Sequence, residues 1–179
     1  GSLKMSNKVS DQGATPKESY TYFWTAAEGT RGSWPWHDHT FGKGSSGMNM
    51  NGVETNGLFS TVIVNPANGK VDALVNGIPK KVDVGEIKKD FILFITDDAF
   101  WGVEIDHTNN NKQTPLWANP TLVASKNDLV RFNVQSVGTD FHHFVLDNYE
   151  WLKPATNETT SLANIGPLEN HVFTISANN

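Results

Sequence analysis

The sequence contains no cysteine. This absence excludes disulfides, thiolate nucleophiles, iron–sulfur clusters, cysteine-ligated zinc and the His₂Cys blue-copper site. Any bound metal must therefore use His, Asp, Glu, Asn or Met side chains. Imidazole is a good ligand for copper and zinc. The leading candidate ligands are therefore the six histidines: His37, His39, His107, His142, His143 and His171.

Charged residues are also scarce, at 18% of the 179 residues, against about a quarter in an average globular chain. Only 14 residues are basic, they form no stripe, and the net charge is −5, so nucleic acid is not an expected partner. No run approaches the roughly 20 apolar residues of a membrane-spanning helix, and no membrane span is expected. A 37% hydrophobic and 11% aromatic content still provides a core, which excludes wholesale disorder.

Apolar and polar residues alternate along several short segments, and apolar residues nowhere recur at helical spacing beyond about one turn. Turn-forming Asn, Asp, Gly and Pro separate these segments. The sequence therefore predicts an all-β chain, a sandwich or barrel of short antiparallel strands. The predicted strands cover residues 19–26, 58–64, 90–96, 121–124, 128–135, 141–147 and 171–176.

The domain organisation follows from changes in composition along the chain. Residues 1–18 are polar and are expected to form a flexible arm, which opens on Gly1-Ser2, a pair typical of tag cleavage. Residues 19–179 are expected to form a single domain. Within it, the lysine-bearing and turn-rich residues 67–89 are interpreted as a connector between 19–66 and 90–179.

The first candidate site is Trp34-Pro35-Trp36-His37-Asp38-His39-Thr40. In an extended segment His37 and His39 point to one face and Asp38 to the other. Two imidazoles at this spacing form a common half-site for copper or zinc. The alternative is a pair of surface histidines beside a tryptophan-rich edge, since so short a motif also occurs by chance.

The second candidate site is Phe141-His142-His143-Phe144-Val145-Leu146-Asp147. Alternation places His142 on the face of Phe144 and Leu146, so His142 is expected to point into the core. A lone buried histidine is more often a hydrogen-bonded core residue than a ligand. His143 and Asp147 share the other face with Val145, and they could meet one metal only through a long reach.

The remaining candidates carry weaker signals. His107 and His171 lie next to turns and are expected to be surface groups. Met48 and Met50 lie in a glycine-rich segment, where a thioether could contact copper but usually contacts nothing.

In combination, these segments resemble the multicopper oxidases, the laccase-like family of cupredoxin domains. Trp34–Thr40 is similar to the family's Trp-x-x-His-x-His-Thr segment, whose two histidines bind paired coppers of the trinuclear cluster. Further similar segments are Asn56-Gly57-Leu58-Phe59-Ser60-Thr61-Val62-Ile63-Val64, Asn127-Asp128-Leu129-Val130-Arg131-Phe132, Gly138-Thr139-Asp140-Phe141-His142 through Trp151, and Ile165-Gly166-Pro167-Leu168-Glu169.

The resemblance implies a cupredoxin-like Greek-key β-sandwich or barrel. It also implies copper as the metal, with zinc as the alternative, oxidoreductase chemistry, and an extracellular or periplasmic location. The candidate metal ligands are His37, His39, Asp38, His142, His143 and Asp147.

Departures from the family pattern limit what the resemblance implies. His142 falls on the position of the blue-copper histidine, whereas Val145 and Asp147 fall where the family has cluster histidines. The terminal His-Cys-His segment is absent. No type 1 copper and no complete trinuclear site are therefore expected, so laccase activity is not expected of this chain alone and turnover of any kind stays open.

Residues 19–66 resemble the C-terminal half of one cupredoxin domain, and residues 90–179 the N-terminal half of the next. They are expected to close onto each other as a circularly permuted barrel, because open halves would expose apolar strand edges. This closure would bring Asp38 near His142, as a hydrogen-bonded pair or as two ligands of a small buried metal site.

The resemblance also implies a homo-oligomer, with a trimer favoured. In it, an intersubunit copper or zinc site could use His37, His39 and Asp147. Two alternatives remain open at this point: a metal-free structural or binding module, and a fragment of a longer multicopper oxidase.

Overall fold

The computed structural model of the chain describes residues 4–5, 19, 21–37, 57 and 59–178. Strands dominate these residues, with two short 3-10 turns at Val84–Glu86 and His107–Asn109, which confirms the all-β prediction. No helix among them is long and apolar enough to cross a membrane. The chain divides into two compact units, Gly1–Val64 and Asn65–Asn179.

The described residues of the first unit form two pairs of antiparallel strands. β1 (Lys4–Met5) pairs with β2 (Trp24–Thr25), and β3 (Gly32–His37) pairs with β4 (Phe59–Val64). The predicted strand 19–26 thus shrinks to two residues, whereas the strand predicted at 58–64 is found from Phe59 onward. Pro35 lies inside β3, where a proline is tolerated because a two-stranded sheet has only edge strands.

The second unit is built on one seven-stranded sheet and two small two-stranded sheets. In the large sheet the strand order is β6-β5-β15-β10-β7-β8-β9. Its strands are β5 (Lys70–Val75), β6 (Ile78–Asp83), β7 (Ile87–Ile95), β8 (Phe100–Asp106), β9 (Lys112–Leu116), β10 (Leu129–Ser136) and β15 (Asn170–Ser176). The small sheets pair β11 (His142–Val145) with β14 (Leu162–Ile165), and β12 (Trp151–Leu152) with β13 (Thr159–Thr160).

The expectation of antiparallel strands alone is wrong for the large sheet. β10 runs parallel to β7, and β15 runs parallel to β5. Both faces of β7 and β10 are buried, and the near-continuous apolar run of β7 is typical of a strand in parallel pairing. Parallel neighbours need long crossover connections, and here β8, β9 and the loop after them lie between β7 and β10.

Residues 67–89, interpreted from the sequence as a connector, carry β5, β6 and the start of β7. The turn between β5 and β6 is Asn76-Gly77, and both residues have positive φ angles, of 51° and 76°. Two positive φ angles define the tight turn whose twist matches a β-hairpin, and Asn-Gly is its preferred sequence. By contrast, the predicted strand at 121–124 is irregular chain.

The core of the second unit lies between the inner face of the large sheet and a second layer formed by β11, β12 and β14. Aromatic rings fill its centre. Trp151 stacks on Phe173 with ring centroids 4.4 Å apart, and Phe173 stacks on Phe132 at 5.1 Å. Each such ring buries some 150–250 Å², so the three stacked rings together bury about 450–750 Å².

The seven strands form an open sheet, with β6 and β9 at its edges, over the residues that are described. The coarse prediction of layered β-structure therefore holds for the second unit. The cupredoxin Greek key and the permuted closure of 19–66 onto 90–179 stay predictions.

Candidate functional site

The second unit contains a buried polar network on the sheet face opposite the aromatic core. At its centre is Asp90 of β7, only 1% exposed. Arg131 of β10 donates two hydrogen bonds to it, Nε to Oδ1 at 2.5 Å and Nη2 to Oδ2 at 2.8 Å. Parallel register pairs these two residues directly across the strands. The geometry is the bidentate fork that guanidinium and carboxylate groups prefer.

Three more side chains complete the network. Asn133 donates from Nδ2 to Asp90 Oδ1 at 3.1 Å, and Arg131 Nη1 donates to Asn65 Oδ1 at 2.7 Å. His107 Nε2 lies 2.9 Å from Asp90 Oδ2. Because a carboxylate only accepts, His107 must carry a proton on Nε2. Asn133 Oδ1 is buried with no hydrogen-bond partner among the described residues.

The electrostatics of Asp90 explain why a carboxylate is tolerated there. Burial raises its pKa, but the hydrogen bonds and charge of Arg131, followed by those of His107, outweigh burial and hold the pKa below its ordinary value of 3.8. Asp90 is thus a stable anion in a buried place. A carboxylate already neutralised by a guanidinium is a structural anchor and a poor metal ligand.

The first predicted site lies only in part within the described residues. His37 is the last residue of β3 and pairs with Phe59 of β4. Asp38, His39, Met48 and Met50 lie outside the described residues. The expected approach of Asp38 to His142 therefore stays a prediction.

The second predicted site is divided between two faces, as alternation indicated. Phe144 is buried in the core while His143 and Val145 are exposed, so His142 lies on the inner side. Its Nε2 is buried, and no described residue hydrogen-bonds to it. His143 Nδ1 lies 2.6 Å from Asn164 Oδ1 of β14, and Asp147 is exposed beyond the end of β11.

The structure does not bring the candidate ligands of this segment together. Across the described residues, no group of three or more His, Asp or Glu side chains could hold a metal ion. His142 and His143 are adjacent in sequence but lie on opposite sides of β11, and Asp147 follows the strand. A metal site on these residues stays a prediction.

Asp97 fixes the turn that leads into β11. Its carboxylate accepts hydrogen bonds from Thr139 N at 2.7 Å, Thr139 Oγ1 at 2.8 Å and Asp140 N at 3.1 Å. Burial raises the pKa of Asp97, but the bond from the Thr139 hydroxyl and those from the two backbone amides lower it below the ordinary value. Gly138 is required beside it, since a side chain there would overlap Asp97 Oδ1.

Sequence reasoning missed the network around Asp90. Residues 90 and 131 are charged positions within apolar strands, and such isolated charges are seldom fully buried unless paired. That pattern could have suggested an ion pair, but no local pattern links two residues that are 41 positions apart. His107 was expected at the surface and is there, yet its ring reaches the buried carboxylate.

Comparison with known proteins adds no relative: no family model, no curated protein and no solved structure matches the chain.

Proposed function

We propose that the chain is a copper-binding, cupredoxin-like module related to multicopper oxidases, with its copper held by His37 and the neighbouring His39. The observation that carries the proposal is the position of His37 at the end of an extended, paired strand. Residues two apart along a strand share a face, so a His-x-His sequence in that register is suited to offer two imidazoles to one ion.

The other described histidines each have a hydrogen-bond partner or face the interior, and none of them belongs to a His-x-His sequence. His107 is held by Asp90 and Asn111, at 2.9 and 2.7 Å. His143 is held by Asn164, and His171 Nε2 lies 3.2 Å from the Asn164 carbonyl. His142 presents its unpartnered nitrogen to the protein interior.

The chemistry of such a site follows from its ligands. Copper held by imidazole nitrogens without a thiolate would be weakly coloured and type 2-like. It would supply a one-electron redox centre. The chain has no cysteine to deliver electrons to it, so the proposal is copper binding, with catalytic turnover left to experiment. The affinity order for imidazole sites favours copper over zinc.

The test is a titration of metal-stripped protein with Cu(II), followed by electron paramagnetic resonance. The variants are His37→Ala, His39→Ala and, as a matched control, His143→Ala, which removes an exposed histidine outside the proposed site. We expect one type 2 signal per chain in the wild type and in the control. Each of the other two variants should weaken binding by about a hundredfold, the loss of one good ligand.

Two results would overturn the proposal. One is a wild-type protein that binds no copper under these conditions. The other is binding that survives both His37→Ala and His39→Ala. Strong blue absorption would contradict the type 2 assignment, since it requires a thiolate.

A second candidate is a metal-free structural or binding module. It is favoured by the absence, among the described residues, of any three-ligand group that could hold a metal ion. An unchanged paramagnetic resonance spectrum in a folded wild-type protein would select it. The expected extracellular or periplasmic location applies equally to both candidates.

A further inference from the structure

The outer side of the β11–β14 pair is open to solvent and carries apolar residues on both sides of the hydrogen-bonded His143–Asn164 pair. Phe141, the residue before β11, is 86% exposed, and its ring covers Gly166, where a Cβ would lie 2.9 Å from Phe141 Cε1. Further along, Val145 pairs across the strands with Leu162, and both are nearly half exposed. We call the exposed surface of Phe141, His143, Val145 and Leu162 the outer face.

This face cannot bury itself by a local rearrangement. The opposite sides of the same strands carry Phe144, Ala163 and Ile165, all buried in the core. Turning the outer face inward would expose those residues. Exposed apolar side chains that the fold cannot turn inward are candidates for contact with another molecule.

The rim of the outer face is acidic. Asp140 precedes Phe141, Asp147 follows β11, and Glu169 closes the turn after β14. Residues 132–152 and 154–179 contain no lysine or arginine at all. Two copies of this face placed against each other would bring like charges together, which disfavours a symmetric contact.

The β5–β6 hairpin carries the complementary chemistry. Ile78 at its turn is 57% exposed, and Lys80 lies on the same side of β6. Lys70 and Lys81 form ion pairs with Asp83 and Asp72, at 2.9 and 2.5 Å. The described structure shows no ion pair for Lys80, so its charge is available to a carboxylate of another molecule.

The hairpin would dock through side chains and not by strand addition. β6 is an edge strand of the large sheet, and it carries Pro79, Lys80 and Lys81. Proline and lysine on an edge are the usual means of preventing backbone pairing with another sheet. In such docking Ile78 would provide the apolar contact with the other molecule, and Lys80 the charged contact.

We propose that the outer face binds the β5–β6 hairpin of a second copy of this chain, with Ile78 against Phe141, and Lys80 against the acidic rim at Asp140. Both surfaces are exposed in one chain, so each is open to a neighbour. The contact is heterologous, since two different surfaces meet. Such contacts close into a ring when the rotation permits and otherwise form open chains.

The test is the oligomeric state, measured by sedimentation velocity over a range of protein and salt concentrations. The variants are Phe141→Ser, Lys80→Glu, Asp140→Lys and the charge swap Lys80→Glu/Asp140→Lys. The controls are Val123→Ser and Lys126→Glu, which alter an exposed apolar and an exposed basic residue outside both surfaces. Circular dichroism establishes that every variant is folded.

We expect the wild type to self-associate, more weakly at higher salt. Phe141→Ser and each single charge reversal should weaken association by about tenfold or more, as for a central interface residue, and the charge swap should restore most of the loss. A wild type that stays monomeric at about millimolar concentration would overturn the proposal. So would association unaffected by both Phe141→Ser and Lys80→Glu, which would assign the contact to another surface.

Discussion

The two faces of β7 and β10 are both buried, yet they are built from opposite chemistry. One face presents Phe91 and Phe132 to the aromatic stack of the core. The other presents Asp90 and Arg131 to each other. An apolar face tolerates many substitutions of similar volume, whereas a buried ion pair depends on both partners. Two equally buried faces of one sheet are therefore expected to differ in their tolerance to mutation.

The largest effect is expected for Arg131→Ala. Asp90 would remain buried without its main partner, which costs about 3–5 kcal/mol of unfolding free energy. Urea unfolding measures the loss. The double variant Asp90→Leu/Arg131→Met should lose much less, because it removes both charges together; a double variant as unstable as Arg131→Ala would show that the charges are not the cause.

Lowering the pH should remove part of the unfolding free energy that ionised Asp90 contributes. The pKa of Asp90 is lower in the folded than in the unfolded chain, so its stabilisation is complete above about pH 4. It is lost as the pH falls from 3.8 toward the folded value, because the unfolded chain binds the proton first. Unfolding free energies of the wild type and of Asp90→Leu/Arg131→Met should therefore converge between pH 5 and pH 2. Parallel curves would contradict the assignment.

The apolar face should respond more mildly to a conservative change. Ile175→Val removes one methylene next to Phe132 and Trp151 and should cost about 1 kcal/mol in urea unfolding. A loss above about 3 kcal/mol would mean that this face is as intolerant as the ionic one.

His107→Ala tests the outer end of the network. His107 is partly exposed, and Asp90 keeps Arg131 and Asn133 when the imidazole is removed. The expected cost is about 1 kcal/mol, the net value of one hydrogen bond. Asn111→Gly removes the second partner of His107 at a backbone φ of 57° that glycine also adopts, and it should cost less. A larger cost for Asn111→Gly than for His107→Ala would show that the His107–Asn111 bond contributes more than the His107–Asp90 bond.

The smallest effect is expected for Phe141→Ser, a change at an 86% exposed ring. Unfolding free energy of the dilute monomer should change by less than about 0.5 kcal/mol. Phe144→Ala, three residues on but in the core, is the matched contrast and should cost about 3–5 kcal/mol. Similar values for the two would contradict the assignment of inner and outer sides to β11.

Strand positions and faces could be predicted wherever the alternation within one segment identified a strand. The strands β4, β10, β11 and β15 fall within a residue or two of the predicted segments, and alternation separated His142 from His143. The β5–β6 hairpin was missed because its lysines and turn residues resembled a linker. The parallel pairing of β7 with β10 was missed because no local pattern specifies which strand lies beside which.

The candidate site divides along the same line. From the sequence alone, a thiolate copper site could be excluded, an all-β chain could be predicted, and His142 could be placed on the opposite side of its strand from His143. The structure was needed to find the hydrogen-bonded network of Asp90, His107 and Arg131. It was also needed to find the hydrogen bond between His143 and Asn164 and the exposed apolar residues beside the acidic rim. Alternation depends on residues close together in the sequence, so it can be recognised without a structure. The contact between Asp90 and Arg131, 41 positions apart, depends on which strands pair when the sheet packs around its core.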